Sequence, residues 1–334
     1  MAREASVSIA TVSRVLSGEK TVNPEMAVRV REAAEKVGYR PNSAARGLVS
    51  GTFRTIGVTV PDLGNQYFQE VLRAAVLAAK GDGYRIVVMD SMGDADEEHE
   101  ACLQQVPNVD GLILISPRMT VSQLEGLVET GVPLVMVNRV EPGFDIPTVT
   151  SDNHTAIGEL CRHLFSYGHR NMVFINNSYP SWQARAREAA MVENAARLGF
   201  SLEILRAEPS IEGGYLAADE AVYLSPTAVL AFNDLMAYGV LTRFSELGVG
   251  VPERVSVTGF DDIEIARHSV PPLTTVLSPK AQLGRLAWRA MRASLSDKGN
   301  AEVAPVAAPV ILRRSTGPAP DADEGNAELG VRAR

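Results

Sequence analysis

Cysteine is nearly missing from this 334-residue chain: Cys102 and Cys161 are the only two, far apart and without CxxC or Cys/His ligand spacing. Their isolation excludes a disulfide framework and a thiolate metal site, and points to buried, reduced thiols and hence to the cytoplasm. Long apolar runs are missing as well. None approaches the ~20 residues that span a bilayer, and no basic-then-apolar leader opens the chain, so no membrane partner is expected. Catalytic signatures are also lacking: there is no GxSxG, no HExxH, no Walker A and no dinucleotide glycine fingerprint. The five histidines (His99, His154, His163, His169 and His268) are scattered without metal spacing. His169 and His268 read as loop or helix-end residues. The chain is therefore read as a non-enzyme with neither metal nor cofactor.

What is present is material for about two domains, each able to bury a core. An apolar fraction of 46% and a charged fraction of 22% are ordinary for a globular protein. The net charge of −8 argues against nucleic acid until its distribution is examined. Residues 1–54 hold nine Lys/Arg against five Glu, a net +4, which leaves −12 for the remainder. A small basic head on an acidic body concentrates phosphate attraction at one end.

The head carries two helix patterns. Ser8 is a good N-cap, Val12, Val15 and Leu16 form an apolar stripe, and Gly18 ends the helix. The opposite face shows Ala10, Thr11, Ser13 and Arg14, small or hydrogen-bonding groups with one long cation. A helix entering the major groove needs that economy, its arginine able to fork onto guanine. The second helix opens with Asn23, Pro24 and Glu25, and Met26, Val30, Ala33, Ala34 and Val37 form its expected buried stripe. Pro41 then breaks the chain, and Asn42 or Ser43 can cap a short helix through Leu48. So short a helix is marginal in water, and Gly47 weakens it by a further ~1 kcal/mol. Leu48 suits a wedge between base steps in the minor groove, although an ordinary interdomain linker would also read this way.

The run SIATVSRVLSG from Ser8, the Asn23-Pro24-Glu25 helix ending in VGYRPN, and the AARGL ending at Leu48 resemble the lactose-repressor (LacI/GalR) family of bacterial transcription regulators. The resemblance continues to about residue 316. It implies base-reading roles for Ile9, Ala10 and Arg14, phosphate contacts from Thr11 and Ser13, and an intercalating hinge leucine at Leu48. Lys20, Asn42 and Ala45 complete the candidate DNA-contacting set. One departure stands upstream. Relatives place roughly a helix and a turn before the segment matching Met1–Ser8, of which only the helix tail is present, and Ser6 stands where the turn usually has Gly. The expectation is that Val12, Val15 and Val30 are poorly covered. A mis-called start is also expected, Met1 matching a position where the family often has Val.

From Arg54 onward short β-rich runs alternate with amphipathic helices. Thr55–Val60, Arg85–Asp90, Gly111–Ser116 and Leu134–Asn138 read as strands; Gln69–Lys80, Glu97–Gln105 and Val121–Glu129 read as helices. The order repeats with strands at Met172–Asn176, Ser201–Leu205, Ala228–Phe232 and Val255–Gly259. Helices at Ala184–Leu198, Gly214–Leu224 and Met236–Glu246 separate them. Such alternation predicts an α/β body of two doubly wound parallel-sheet subdomains with a ligand between the carboxyl ends of the strands. The expected organisation is a headpiece at 1–40, a hinge at 41–54 and a core at 55–317. In that core one subdomain takes about 55–150 and 280–308, the other about 151–279 and 309–317. The tail 318–334, rich in Pro, Ala, Asp, Glu and Gly, reads as disordered and lacks leucine heptads.

Polar residues at strand ends are the candidate ligand groups: Asn138-Arg139, Asn233-Asp234, Asp261-Asp262, and Arg185 and Arg187 after a loop. Tyr67, Phe68 and Trp182 supply aromatic faces. Asp, Asn and Arg with flat aromatics suit a polyol. Alternatives stay open, since Asp261 could cap a turn, Asn233-Asp234 could cap a helix, and Arg187 could be a surface cation. The resemblance places Arg187, Asn233 and Asp261 at effector positions, with Asn138 and Phe68 beside them; Asn138 matches a position that is Asp in some relatives. It implies a periplasmic-binding-protein-like core, a homodimer, double-stranded operator DNA as partner, and a small-molecule effector of the sugar class. A DNA-incompetent sugar sensor and a periplasmic-type sugar receptor are the rival readings.

Overall fold

Ser8 closes the first helix of the head by accepting the Thr11 N–H at 3.0 Å, and helix α1 runs Ile9–Ser17. In the second, α2 (Pro24–Lys36), Asn23 accepts the Glu25 N–H and Pro24 stands in the first turn. The computed structural model describes residues 1–17, 22–38, 52–296 and 304–320, and divides into a head, Met1–Arg54, and a body that begins at Thr55. The hinge residues Asn42, Ala45 and Leu48, and also Lys20, lie outside the described residues.

The head core corrects two expectations. Val30 is fully buried and Val12 nearly so, because Ala5 joins them while Met1, Ala2 and Val7 pack alongside. The Arg29 guanidinium ties this segment down through the carbonyls of Ala5 and Ser6, and Lys36 pairs with Glu4. Conversely, Met26 and Val37 are exposed rather than buried. A core this small covers only the middle of the α2 stripe. Ser6 adopts φ 51°, the left-handed backbone that favours glycine.

In the body, β1 (Thr55–Val60), β2 (Arg85–Asp90), β3 (Gly111–Ile115), β4 (Leu134–Val137) and β5 (Thr148–Val149) form one parallel sheet in the order β2-β1-β3-β4-β5. Strand β3 shows why its sequence is a continuous apolar run. Ile113 and Ile115 enter one core, Leu112 and Leu114 another, so both faces of the sheet are covered. The covering helices are α3 (Gln66–Gly81), α4 (Ala95–Gln105) and α5 (Val121–Glu129). The second sheet has the order β7-β6-β8-β9, from β6 (Asn171–Asn177), β7 (Ser201–Ala207), β8 (Ala228–Ala231) and β9 (Ser256–Thr258), again all parallel. Its helices are α6 (Asn153–Ser166), α7 (Trp182–Leu198), α8 (Ile211–Tyr223), α9 (Asp234–Glu246) and the short α10 (Glu264–His268).

The halves are not consecutive along the chain. After β10 (Thr275–Val276), helix α11 (Lys280–Ser294) places Leu283, Ala287, Trp288 and Met291 in the core of the first sheet. The chain then returns to pair β11 (Val310–Ile311) antiparallel with β10. Cys102 and Cys161 are free and buried, and burial pushes both thiols up to about 12. At the start of the expected tail, the Ala319 N–H donates to the Tyr167 carbonyl at 2.7 Å, so residues 318–320 are held against the body. No described helix is long and apolar enough to cross a membrane.

Candidate functional site

The carboxyl ends of both sheets converge on one cavity of about 290 Å³. Such a crevice, outside the strand ends where the strand order reverses, is where open α/β sheets bind ligands. The first half contributes Asn138, just after β4, and Tyr67 and Phe68 from the first turn of α3, a helix capped by Asn65. The second half contributes Arg187 on α7, Asn233 after β8, and Asp261 beyond β9. Six of the seven sequence-selected effector residues therefore line the cavity.

Asn138 is buried with φ 61°; its amide donates to the Tyr67 hydroxyl at 2.6 Å and to the Ser116 Oγ at 3.2 Å. Its Oδ1 has no hydrogen-bond partner among the described residues. Tyr67 meets Phe68 edge-on, ring centroids 5.1 Å apart, and burial holds its phenol well above the ordinary range. Arg187 is buried, which corrects the surface-cation alternative. Its guanidinium stacks 3.5 Å over the Phe260 ring, donates to the Phe232 carbonyl and stands 3.7 Å from Asp261, while its Nε has no hydrogen-bond partner among the described residues. Burial lowers its pKa, opposed by the Asp261 carboxylate. Asp261, at φ 113°, accepts from the Ser278 hydroxyl at 3.2 Å. Burial pushes this carboxyl up to about 6, although the Arg187 and Lys280 charges pull the other way. Asn233 does cap α9, its Oδ1 accepting the Met236 N–H at 2.9 Å, yet it also faces the cavity.

Other strand-end candidates serve the fold. Asp234 accepts from the Thr275 hydroxyl and the Ile263 N–H, and burial raises it well above a carboxylate's usual value. Asp262 pairs with Arg313, and Arg139 binds Glu141 and the Met119 carbonyl. Trp182, expected to supply an aromatic face, is not among the residues lining the cavity. It opens α7, and its neighbour Gln183 faces the site instead, donating to the Asn138 carbonyl at 3.3 Å across the two halves. Sequence reasoning also missed Ser116 and Arg118, which follow β3 and fall under the same strand-end rule. In the head, Ile9 is 80% exposed, and Ala10 and Arg14 are exposed on the same helix. The Thr11 hydroxyl bonds that of Ser8 at 2.9 Å.

A helix-turn-helix head joined to a two-sheet ligand-binding body defines a class of regulator. Residues 1–42 match the family model for bacterial regulatory proteins of the lacI family, and residues 161–316 match a periplasmic binding protein-like domain. Catabolite control protein A of Priestia megaterium is 32% identical, the alignment covering 86% of this chain and 89% of that protein. The HTH-type transcriptional repressor CytR of Escherichia coli (strain K12) is also 32% identical, over 85% of each chain. Among solved structures, the lac repressor dimer bound to operator and the anti-inducer ONPF superposes with a TM-score of 0.83 at 24% identity. The match covers 95% of this chain and 97% of that one. A transcriptional regulator CelR–cellobiose complex gives 0.73 at 25% identity, covering 94% and 98%. The chain belongs to the lacI family of bacterial regulatory proteins: it is a DNA-binding transcription regulator with a ligand-binding core.

Proposed function

We propose that this regulator is a repressor of carbohydrate-utilisation genes, working in the cytoplasm as a homodimer on a pseudo-palindromic operator. Its operator affinity is set by a small polyol of the sugar class in the cleft. The observation that carries this reading is the set of three buried polar atoms without a hydrogen-bond partner among the described residues on side chains that line the cavity, Asn138 Oδ1, Arg187 Nε and Arg118 Nε. Buried polar groups are almost always paired, so one acceptor and two donors left unsatisfied beside an apolar aromatic face fit a site completed by a ligand bearing hydroxyls. The cavity volume, about 290 Å³, favours a ligand of monosaccharide size. The relatives named above support the DNA side: one is called a transcriptional repressor, and one solved structure is a dimer on its operator.

Thermal melting of the full chain against a panel of neutral and acidic monosaccharides tests the reading. A true effector at 100 times its Kd stabilises by ~2.7 kcal/mol. The same sugar must then change the gel shift of an operator fragment selected from random DNA. Arg187→Met should abolish the melting shift. Binding of the active sugar that survives unchanged in Arg187→Met and in Asp261→Asn would place the ligand elsewhere and defeat the proposal.

A further inference from the structure

We propose that the effector of this cleft carries a negatively charged group, a carboxylate or a phosphate, and that Arg118 receives it. The inference rests on the reading of the cleft as the effector site and narrows its chemistry. Arg118 stands two residues beyond Ser116, in the turn that follows β3, next to the point where the strand order β2-β1-β3 reverses. Its backbone is anchored from below. The Glu98 carboxylate accepts the Arg118 N–H at 2.6 Å and the Met119 N–H at 3.1 Å through one oxygen, and the Thr59 hydroxyl at 3.0 Å through the other. Pro117 stiffens the turn. The root of the side chain is thus fixed at the cavity wall.

Its guanidinium has no hydrogen-bond or ion-pair partner among the described residues, and its Nε is buried. The contrast with its neighbours is informative. Arg139 is held by Glu141 and the Met119 carbonyl, and Arg187 by Asp261 and the Phe232 carbonyl. Glu98 balances the charge of Arg118 through space, but its oxygens are taken by the backbone N–H groups and Thr59. The Arg118 Nε is out of water without a partner, which is costly, and burial pulls this guanidinium down to about 10, while the partly exposed terminal nitrogens stay available to a ligand. The acids on the same wall are largely engaged: Asp90 accepts the Leu63 and Met92 N–H groups, and Asp62 accepts that of Gly64. Glu208 is exposed and offers a hydroxyl acceptor. A neutral hydroxyl would satisfy one N–H of Arg118. A two-oxygen anion matches its planar fork, and a uronate, an aldonate and a sugar phosphate all present one.

The test is calorimetry and thermal melting on the full chain with glucose, ribose, glucuronate, gluconate, glucose 6-phosphate and ribose 5-phosphate. An anionic probe should bind more tightly than its neutral parent, and the carboxylate and phosphate arms separate the two sources of charge. Arg118→Met should weaken that probe roughly 100-fold, the order of a desolvated charge pair, and weaken the neutral parent, which loses one hydrogen bond at most, by roughly tenfold or less. Arg118→Lys, which keeps the charge and loses the fork, should fall between, and its ligand-free melting temperature guards against misfolding. A neutral parent that binds as tightly as its anionic derivatives overturns the inference, as does an Arg118→Met protein that binds the anion like wild type or a panel in which no anionic probe binds. A neutral sugar that depends on Asp261 but not on Arg118 sinks the inference alone. Independence from both Asp261 and Arg187 sinks the reading of the cleft beneath it.

Discussion

Asn138 uses its amide donors on Tyr67 and Ser116 and keeps its carbonyl oxygen buried, without a partner among the described residues. Asn233 caps a helix while lining the same space, and Asp261 leans on Arg187 and Ser278. Each polar side chain is oriented by the fold through one atom and presents another. Asp261 makes the arrangement pH-sensitive. Its carboxyl, at about 6 in the folded chain, would titrate near 3.9 unfolded. The folded state therefore prefers the protonated form. Its contribution to stability is fully present below pH ~4 and is lost as the pH rises through 6, on the order of 3 kcal/mol for this one group. Ligand binding should run the opposite way, because hydroxyl donors seek the ionised carboxylate. From pH 7.5 down to pH 5, effector affinity measured by calorimetry should fall roughly tenfold. Asp261→Asn should flatten that profile, and a slope that persists in the variant would assign the titration to another group.

Helices α8 and α9 approach so closely that glycine is required where they touch. A Cβ on Gly239 would be driven into the Ile211 carbonyl oxygen, and one on Gly214 into that of Met236. Asn233 caps helix α9, so this contact fixes the height of one cavity wall. Gly239→Ala should destabilise by about 2–4 kcal/mol, overpacking against backbone that cannot yield locally. A chemical denaturation midpoint within error of wild type would show that the helices slide apart at little cost. The strands of these layers were legible in the sequence because parallel strands covered on both faces are unbroken apolar runs, as in Gly111–Ile115. Helices α6 and α11 were not. The first opens on Asn, His and Thr, and the second carries three arginines around its buried leucine, tryptophan and methionine. Met26 and Val37 were misplaced for a related reason: periodicity names a face and says nothing of how much partner surface covers it. At the site, strand-end asparagines and aspartates were readable, whereas Trp182 and Gln183 are adjacent on one helical turn and only contacts with the other half show that Gln183 faces the cavity.

For the whole molecule, the head and the body meet different partners, and the coupling between them is a free energy that both ligands share. An effector that changes operator affinity by some factor must have its own affinity changed by the same factor when operator is bound. The sequence expectation of a marginal helix around Leu48 suits such coupling, since a helix of that kind would be formed or melted by a few kcal/mol. The proposed reading assigns Leu48 to the DNA side of this division through its resemblance to the family's hinge leucine, and Asp261 and Arg187 to the effector side through their place in the cavity lining. Leu48→Ala should therefore weaken operator binding at least tenfold in a gel shift at fixed salt, an amount in line with a lost base-step wedge. Effector affinity of the DNA-free protein should stay within about twofold, and the steepness of operator binding with salt should be unchanged because no phosphate contact is removed. Equal loss of operator and effector binding would mean that residue 48 supports the fold of the body rather than the reading of DNA, and the division of labour between the two units would have to be redrawn.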